Sequence, residues 1–287
     1  MNVLSISEAG RDSVKREFTK LKLLLAEVEK CKVKLQDENV KLLLPDSISN
    51  AKQAVYDILL KKHGKVVAYG PFANMTVNSQ TWGDYDINAK ILGTYESHVI
   101  AELDAISQEN HGPFIDIGAA DGFFAIGAVL SGITKESYAF EIDASSRRSI
   151  ANNAFDNNVS GKIHIREVAN THTISDVLKK ERKAKILIDI EGSEYDLLDF
   201  DFLDEISKCD VIVELHPSLV EHGKEKQKQL ISRLENYFYI EFFQKSVLST
   251  TGFPELEHLS DDKRLLAFSE NRAFEMCWIK LKPKNEC

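Results

Sequence analysis

PFIDIGAADGFFAIG, residues 113–127, carries the reading of the fold. Phe114, Ile115 and Ile117 form a short apolar run, and the chain then turns at Gly118-Ala119-Ala120-Asp121-Gly122. An apolar, helix-compatible stretch follows from Phe123 to Leu130. This is the pattern of a strand, a glycine turn and a helix start. The first turn of a helix offers N–H groups without intrahelical partners and a partial positive charge, so it suits a ligand with an anionic or polar end. Gly118 and Gly122 are expected to let the backbone approach such a ligand where a Cβ would collide.

Downstream the pattern alternates. Strands are expected at Ser137–Ile142, Lys162–Val168, Lys185–Ile190 and Asp210–Leu215. Helices are expected at Ala144–Asn157, Ile174–Glu181, Glu194–Ile206 and Lys224–Tyr237. Two further strands, Tyr239–Ser246 and Ala273–Leu281, are joined by an irregular stretch, 247–272, and should pair antiparallel at one edge. Strands separated by helices call for a mostly parallel sheet covered on both faces. The expected class is α/β, a doubly wound, mostly parallel seven-stranded sheet with an N-terminal helical extension. In such sheets ligands sit outside the carboxyl ends of the strands, near the switch point.

Upstream, residues 11–44 hold no Pro or Gly, and Val14, Leu21, Val28, Leu35 and Leu42 recur every seven residues. Phe18 and Leu25 fill intermediate sites, and Lys32 and Asn39 take the next two. Residues 1–45 therefore read either as a long amphipathic helix folded back on its own domain or as a coiled-coil arm pairing two copies into a homodimer. Pro45 is expected to end this element. Residues 46–110 read as a helical and loop-rich cap region. It would hold a helix capped by Asp46-Ser47, a short strand Lys65–Tyr69, a loop segment over 70–98, and a helix Ile91–Ile106. Within the loop, Asn74, Asn78, Gln80, Trp82 and Tyr85 either pack or meet a polyhydroxylated ligand. Residues 111–287 form the domain built around the quoted stretch.

The 287 residues are 43% hydrophobic and 28% charged, as in an ordinary soluble globular protein. A net charge of -9 speaks against a nucleic-acid partner. No apolar run approaches the roughly 20 residues that cross a bilayer, and Met1–Gly10 has no basic-then-apolar leader pattern. Cys31, Cys209, Cys277 and Cys287 show no paired spacing. Neither a disulfide framework nor a zinc site is expected, and the expected compartment is the cytoplasm.

The carboxyl ends of the five parallel strands collect Asp116 and Gly118, Glu141 and Asp143, Ala169 and Asn170, then Asp189, Glu191 and Glu194, then Glu214 and His216. An acid closing the second strand can take both hydroxyls of a ribose, and Glu141 fits that role. Against a nicotinamide dinucleotide, the turn lacks the G-x-G-x-x-G spacing that seats a pyrophosphate. Asp116 and Asp121 would also repel phosphates. They suit a ligand with an ammonium and a sulfonium, namely S-adenosylmethionine.

Four segments in order, FIDIGAADG (114–122), YAFEID (138–143), ILIDIEGSEYDLL (186–198) and VIVELHP (211–217), resemble the class I S-adenosylmethionine-dependent methyltransferases. Within these the chain is similar to the FkbM-type family. The third segment is the most specific, a strand ending Asp-x-Glu-Gly-x-Glu. WGDYD…KILGTYE (82–96) is similar to the lead-in of members associated with glycan biosynthesis, and the resemblance covers about residues 66–283. Ile142 stands where the family usually has proline, which touches the turn rather than the carboxylate. The resemblance implies a Rossmann-like class I methyltransferase domain. Taken with the strand ends, it implies that S-adenosylmethionine is held by Glu96, Asp116, Gly118, Ala119, Gly122, Phe123, Glu141, Ile142, Asn170 and Asp189. The acceptor would be held by Trp82, Tyr85, Glu191, Glu194 and Glu214.

The implied reaction is O-methylation of a sugar hydroxyl on a glycan or glycosylated metabolite. His216 is the first candidate base, because an ordinary imidazole value of about 6.5 suits proton acceptance near neutrality. Alternatively it caps the strand before Pro217. Glu191 and Asp189 compete, since a desolvated carboxylate has a raised pKa. Asp189, Glu191, Glu214 and His216 also make a conceivable cage for a divalent cation, although a metal-free site of hydrogen-bonding groups is the reading adopted. Two other functions stay open: an amine or carboxylate acceptor, or a non-catalytic assembly protein. The intact set Asp116, Gly118, Gly122 and Glu141 argues against the last.

Overall fold

Short apolar runs alternating with amphipathic stretches fold as the pattern requires. A computed structural model describes residues 43–78, 86–179, 183–245, 249–270, 272 and 277–284. The heptad seam from Val14 to Leu42, Gln80, Trp82 and Tyr85 therefore lie outside the described residues. The chain divides into two units, Met1–Asn50 and Ala51–Cys287.

Helix α1 spans Leu43–His63. Pro45 does not end an element here: it falls in the first turn of α1, where its missing N–H has no intrahelical acceptor to lose. The expected strand Lys65–Tyr69 reduces to an isolated bridge, Val66 with Thr76. The expected helix Ile91–Ile106 is two helices, α2 (Ile87–Leu92) and α3 (Ser97–Ser107), broken where Gly93 and Glu96 take φ of 68° and 42°.

Then follow β1 (Phe114–Ile117), α4 (Phe123–Leu130), β2 (Ser137–Phe140), α5 (Ala144–Asp156), β3 (Ile163–Arg166), α6 (Thr171–Leu178) and β4 (Lys185–Ile188). The chain continues with α7 (Glu194–Leu197), α8 (Phe200–Ile206), β5 (Asp210–Leu215), α9 (Gly223–Leu234) and β6 (Phe238–Phe243). It ends with α10 (Asp261–Ala267) and β7 (Cys277–Pro283). The stretch 247–272 is thus not irregular throughout, because α10 and a 3-10 turn at Pro254–Leu256 lie within it.

Among the described residues the sheet has seven strands in the order β3-β2-β1-β4-β5-β7-β6. The first five strands pair in parallel, and β7 runs antiparallel between β5 and β6. Every residue of β1 and β4 is buried, as expected for central strands with helices on both faces. Phe114, Leu187 and Ile212 point into one core with Leu59, Val99, Leu103 and Ile126. Ile115, Ile186 and Val213 point into the other with Ile174, Phe202, Leu203 and Leu230. Residues of 51–110 thus build one of the sheet's own cores and belong to the same unit as the sheet. No helix among the described residues is long and apolar enough to cross a membrane.

Candidate active site

The order of strands reverses between β1 and β4, so a crevice opens at their carboxyl ends. Gly118 sits there with φ of 90°, and a Cβ on it would lie 1.8 Å from the carbonyl oxygen of Asp189. At Gly122 a Cβ would press on Ile150 and Ile126. The packing of the turn against its own protein is thus a reason of its own for glycine at both positions. The helix start is less open than expected. Asp116 accepts from the Ala125 amide at 3.1 Å and Asp121 from the Phe123 amide at 3.2 Å, so the two acids cap α4 themselves.

Glu141 closes the turn from β2. Its two oxygens accept from the amides of Ala120 and Asp143, each at 2.8 Å. A carboxylate with one bond on each oxygen keeps acceptor capacity on both, as a ribose diol requires. Beside it Ile142 is 77% exposed, the side chain that turns outward at this rim.

A second buried group supports the turn. Lys90, on α2, lies 3.0 Å from both Asp86 and Asp121, with its ammonium over the rings of Tyr95 and Phe123. Burial opposes that charge, but Asp121 and Asp86 override it and the pKa is raised. Asp121 thus shares one buried cation with Asp86. Asp116 is pushed up to about 8, first by burial and then by Asp189.

The third group surrounds His216 at the end of β5. Nε2 lies 3.5 Å from Asp189, 3.7 Å from Glu191 and 3.8 Å from Glu214, and Nδ1 lies 3.4 Å from Glu194. Glu194 is buried and accepts from the amides of Gly192 and His216 at 2.8 and 2.7 Å. Burial disfavours the imidazolium, yet Glu194, Asp189 and Glu191 outweigh it and the His216 pKa is raised. The carboxylates thus favour the protonated imidazole, which lowers the share of neutral His216 available to take up a proton. Asp189 is raised to about 6 and Glu214 to about 11, each chiefly by burial.

Arg272 completes this cluster. It donates to Glu214 and Glu270, each at 3.1 Å, and pairs with Glu96. Because β7 runs antiparallel to β5, with Trp278 opposite Glu214 and Cys277 opposite Leu215, β7 begins at the carboxyl end of β5.

The structure brings together Asp189, Glu191, Glu194, Glu214 and His216, and at one turn it ties the Gly118 and Ala119 amides to the Phe140 carbonyl and the Ala120 amide to Glu141. Three of the expected cofactor residues have partners within the protein. Glu96 is fully buried and paired with Arg272, Phe123 packs edge-on against Phe72 and Tyr95, and Asn170 caps α6 through Thr173. Asn78 donates to Asp156 at 2.5 Å. Lys90 and Arg272 were missed by sequence reasoning. The spacing of Asp86 and Lys90, four apart on a helix, was a usable signal for the first; none marked the second.

Residues 50–241 match the Methyltransferase FkbM domain. The curated proteins hold no significant match to the chain. Among solved structures, the B. subtilis M1A22 tRNA methyltransferase TrmK is similar at 12% identity over 62% of this chain and 63% of that chain, with a TM-score of 0.40. An rRNA methylase from Streptococcus thermophilus is similar at 9% identity over 64% of this chain and 95% of that chain, with a TM-score of 0.42. A putative precorrin-6Y C5,15-methyltransferase domain from Corynebacterium diphtheriae is similar at 16% identity over 66% of this chain and 98% of that chain, with a TM-score of 0.43. This chain thus spans about 63% of the length of TrmK. The domain match covers well over half of the 287 residues and takes in β1 to β5 with the carboxyl edge just described, and the chain belongs to the FkbM-domain methyltransferases.

Proposed function

We propose that the chain transfers a methyl group from S-adenosylmethionine to a hydroxyl of a sugar, free or carried on a larger glycan or metabolite. One observation carries this reading: a two-oxygen acceptor, Glu141, and the Asp189–Glu191–Glu214–His216 group occupy one edge of the same sheet. The residues that would hold the donor are Gly118, Ala119, Ala120, Glu141 and Ile142, with Asp116 and Asp189 as acids at the crevice. Bound there, S-adenosylmethionine supplies an electrophilic methyl group on a sulfonium. The chain's own part is then to hold an acceptor oxygen in line and to take up a proton.

Glu191 is the residue we assign to proton acceptance. Its side chain is 59% exposed and lies 3.7 Å from His216. Its backbone sits at φ of 52°, a left-handed conformation that costs a non-glycine residue on the order of 1 kcal/mol. Such strain is retained where it aims a side chain. His216 stands beside that carboxylate, and Asp189 offers a further acceptor for hydroxyls of the sugar.

The side chains that converge here are mostly hydrogen-bond acceptors, so a polyol, which brings O–H donors, is complementary to them. A phosphate-rich or carboxylate acceptor would bring charge of the same sign, and the net charge of -9 disfavours RNA of the kind named for TrmK. An amine is the second reading, favoured by the excess of carboxylates around His216.

Calorimetry with S-adenosylhomocysteine tests the donor. The wild type should bind, and Glu141→Ala should lose about tenfold or more, the worth of one charge-assisted hydrogen bond. No heat with the wild type would sink the donor reading. Labelled methyl transfer to panels of sugars and of amines tests the acceptor, and label on amines alone would replace the sugar.

A further inference from the structure

We propose that Asp189, Glu214 and His216 form a binding site for one divalent first-row transition-metal ion at the carboxyl ends of β4 and β5. One ligand atom from each lies within 4.8 Å of the other two. The side chains of Glu214 and His216 are 0% and 2% exposed. His216 Nε2 has no hydrogen-bond partner among the described residues, and Asp189 Oδ1 and Glu214 Oε2 have at most a proton shared between their carboxyls. Buried polar atoms are nearly always satisfied, so three that converge point to a shared ligand. Nε2 stands 3.5 Å from Asp189 and 3.8 Å from Glu214, too far for direct hydrogen bonds. Neighbouring ligands around an ion with bonds of about 2.1 Å stand roughly 3.0–3.4 Å apart, so a small inward movement closes the set.

The surroundings are those that orient a metal-binding histidine. Glu194 lies 3.4 Å from Nδ1 and is itself held by two amides, which turns Nε2 toward the other acids. Arg272 donates to Glu214 Oε1 at 3.1 Å and leaves Oε2 for an ion. Glu191, 3.7 Å from Nε2 on the exposed side, borders the position an exogenous oxygen would take. One imidazole with two carboxylates favours Mn2+, Fe2+ or Zn2+ over Ca2+, which prefers oxygen alone. An ion there would bind and acidify an acceptor hydroxyl beside Glu191. That role rests on the methyl-transfer reading, whereas the site itself does not.

The test is a titration of the full-length, chelator-stripped protein with MnCl2, following the electron paramagnetic resonance of free Mn2+, with no methyl donor added. The expected result is one Mn2+ per chain, displaced by Zn2+ and not by equimolar Ca2+. Glu214→Gln and His216→Asn should each weaken binding by about tenfold or more, while Glu221→Gln, on an exposed side chain, should not. Circular dichroism of each variant establishes that it is folded. Failure of the wild type to take up Mn2+ saturably, or unchanged affinity in both folded variants, overturns the site. Because the donor is absent, either result leaves the S-adenosylmethionine reading untouched.

Discussion

Glu191 and Asp116 show how one carboxyl group differs from another at the same sheet edge. Glu191 is exposed, strained and next to His216. Its replacement by Gln keeps the shape and removes proton acceptance, so turnover should fall by about a hundredfold or more. Affinity for S-adenosylhomocysteine should stay within about twofold. Turnover at the wild-type level would move the proton-accepting role elsewhere. Asp116 is buried and raised to about 8, by desolvation first and by Asp189 next, while the Ala125 amide pulls the other way. Unfolded, the same carboxyl titrates near about 4. Between those values the folded chain keeps a proton that the unfolded chain has lost. The stability this group contributes is therefore full below about pH 4 and is lost as pH rises through about 8. Asp116→Asn keeps an oxygen for Ala125 and removes the titration. Its stability relative to wild type should accordingly rise between pH 5 and pH 8 in urea unfolding, and a constant difference would refute the assignment.

Among elements, the joint between α2 and the turn after β1 is the one most exposed to a single change. Lys90 holds Asp86 and Asp121 at 3.0 Å each, and all three side chains are less than one-fifth exposed. Lys90→Met leaves two acids without their cation. Breaking a buried pair in this way costs about 3–5 kcal/mol, so the variant should unfold at clearly lower denaturant than wild type. A loss below about 1 kcal/mol would mean that water reaches the pair. Part of this joint was legible in the chain, since Asp86 and Lys90 stand one helical turn apart. The contact with Asp121 was not, because it spans 31 residues of sequence. The break between α2 and α3 was missed for a related reason. Apolar periodicity runs through Ile91 to Ile106, while the turn at Glu96 is held by its burial and by the bond from its amide to Glu270.

For the whole molecule, the heptad spacing from Val14 to Leu42 is the feature with a prediction of its own. On the reading that the seam pairs two copies, removing residues 1–44 should convert a dimer to a monomer in sedimentation equilibrium, and an unchanged mass would remove the seam as an interface. The five parallel strands, the glycine turn and the acids at the strand ends were readable in advance. Each is written in a few contiguous residues whose alternation fixes which face is buried. Tertiary structure alone decided that β7 enters between β5 and β6, which carries Arg272 to Glu214 across 58 residues. It also decided that one imidazole is ringed by acids from the end of β4, the turn after it, the start of α7 and β5. A local pattern can say that a side chain lies at the rim of a sheet. Which charges then face one another, and so which protons are held, depends on distances and burial that exist only once the strands have assembled.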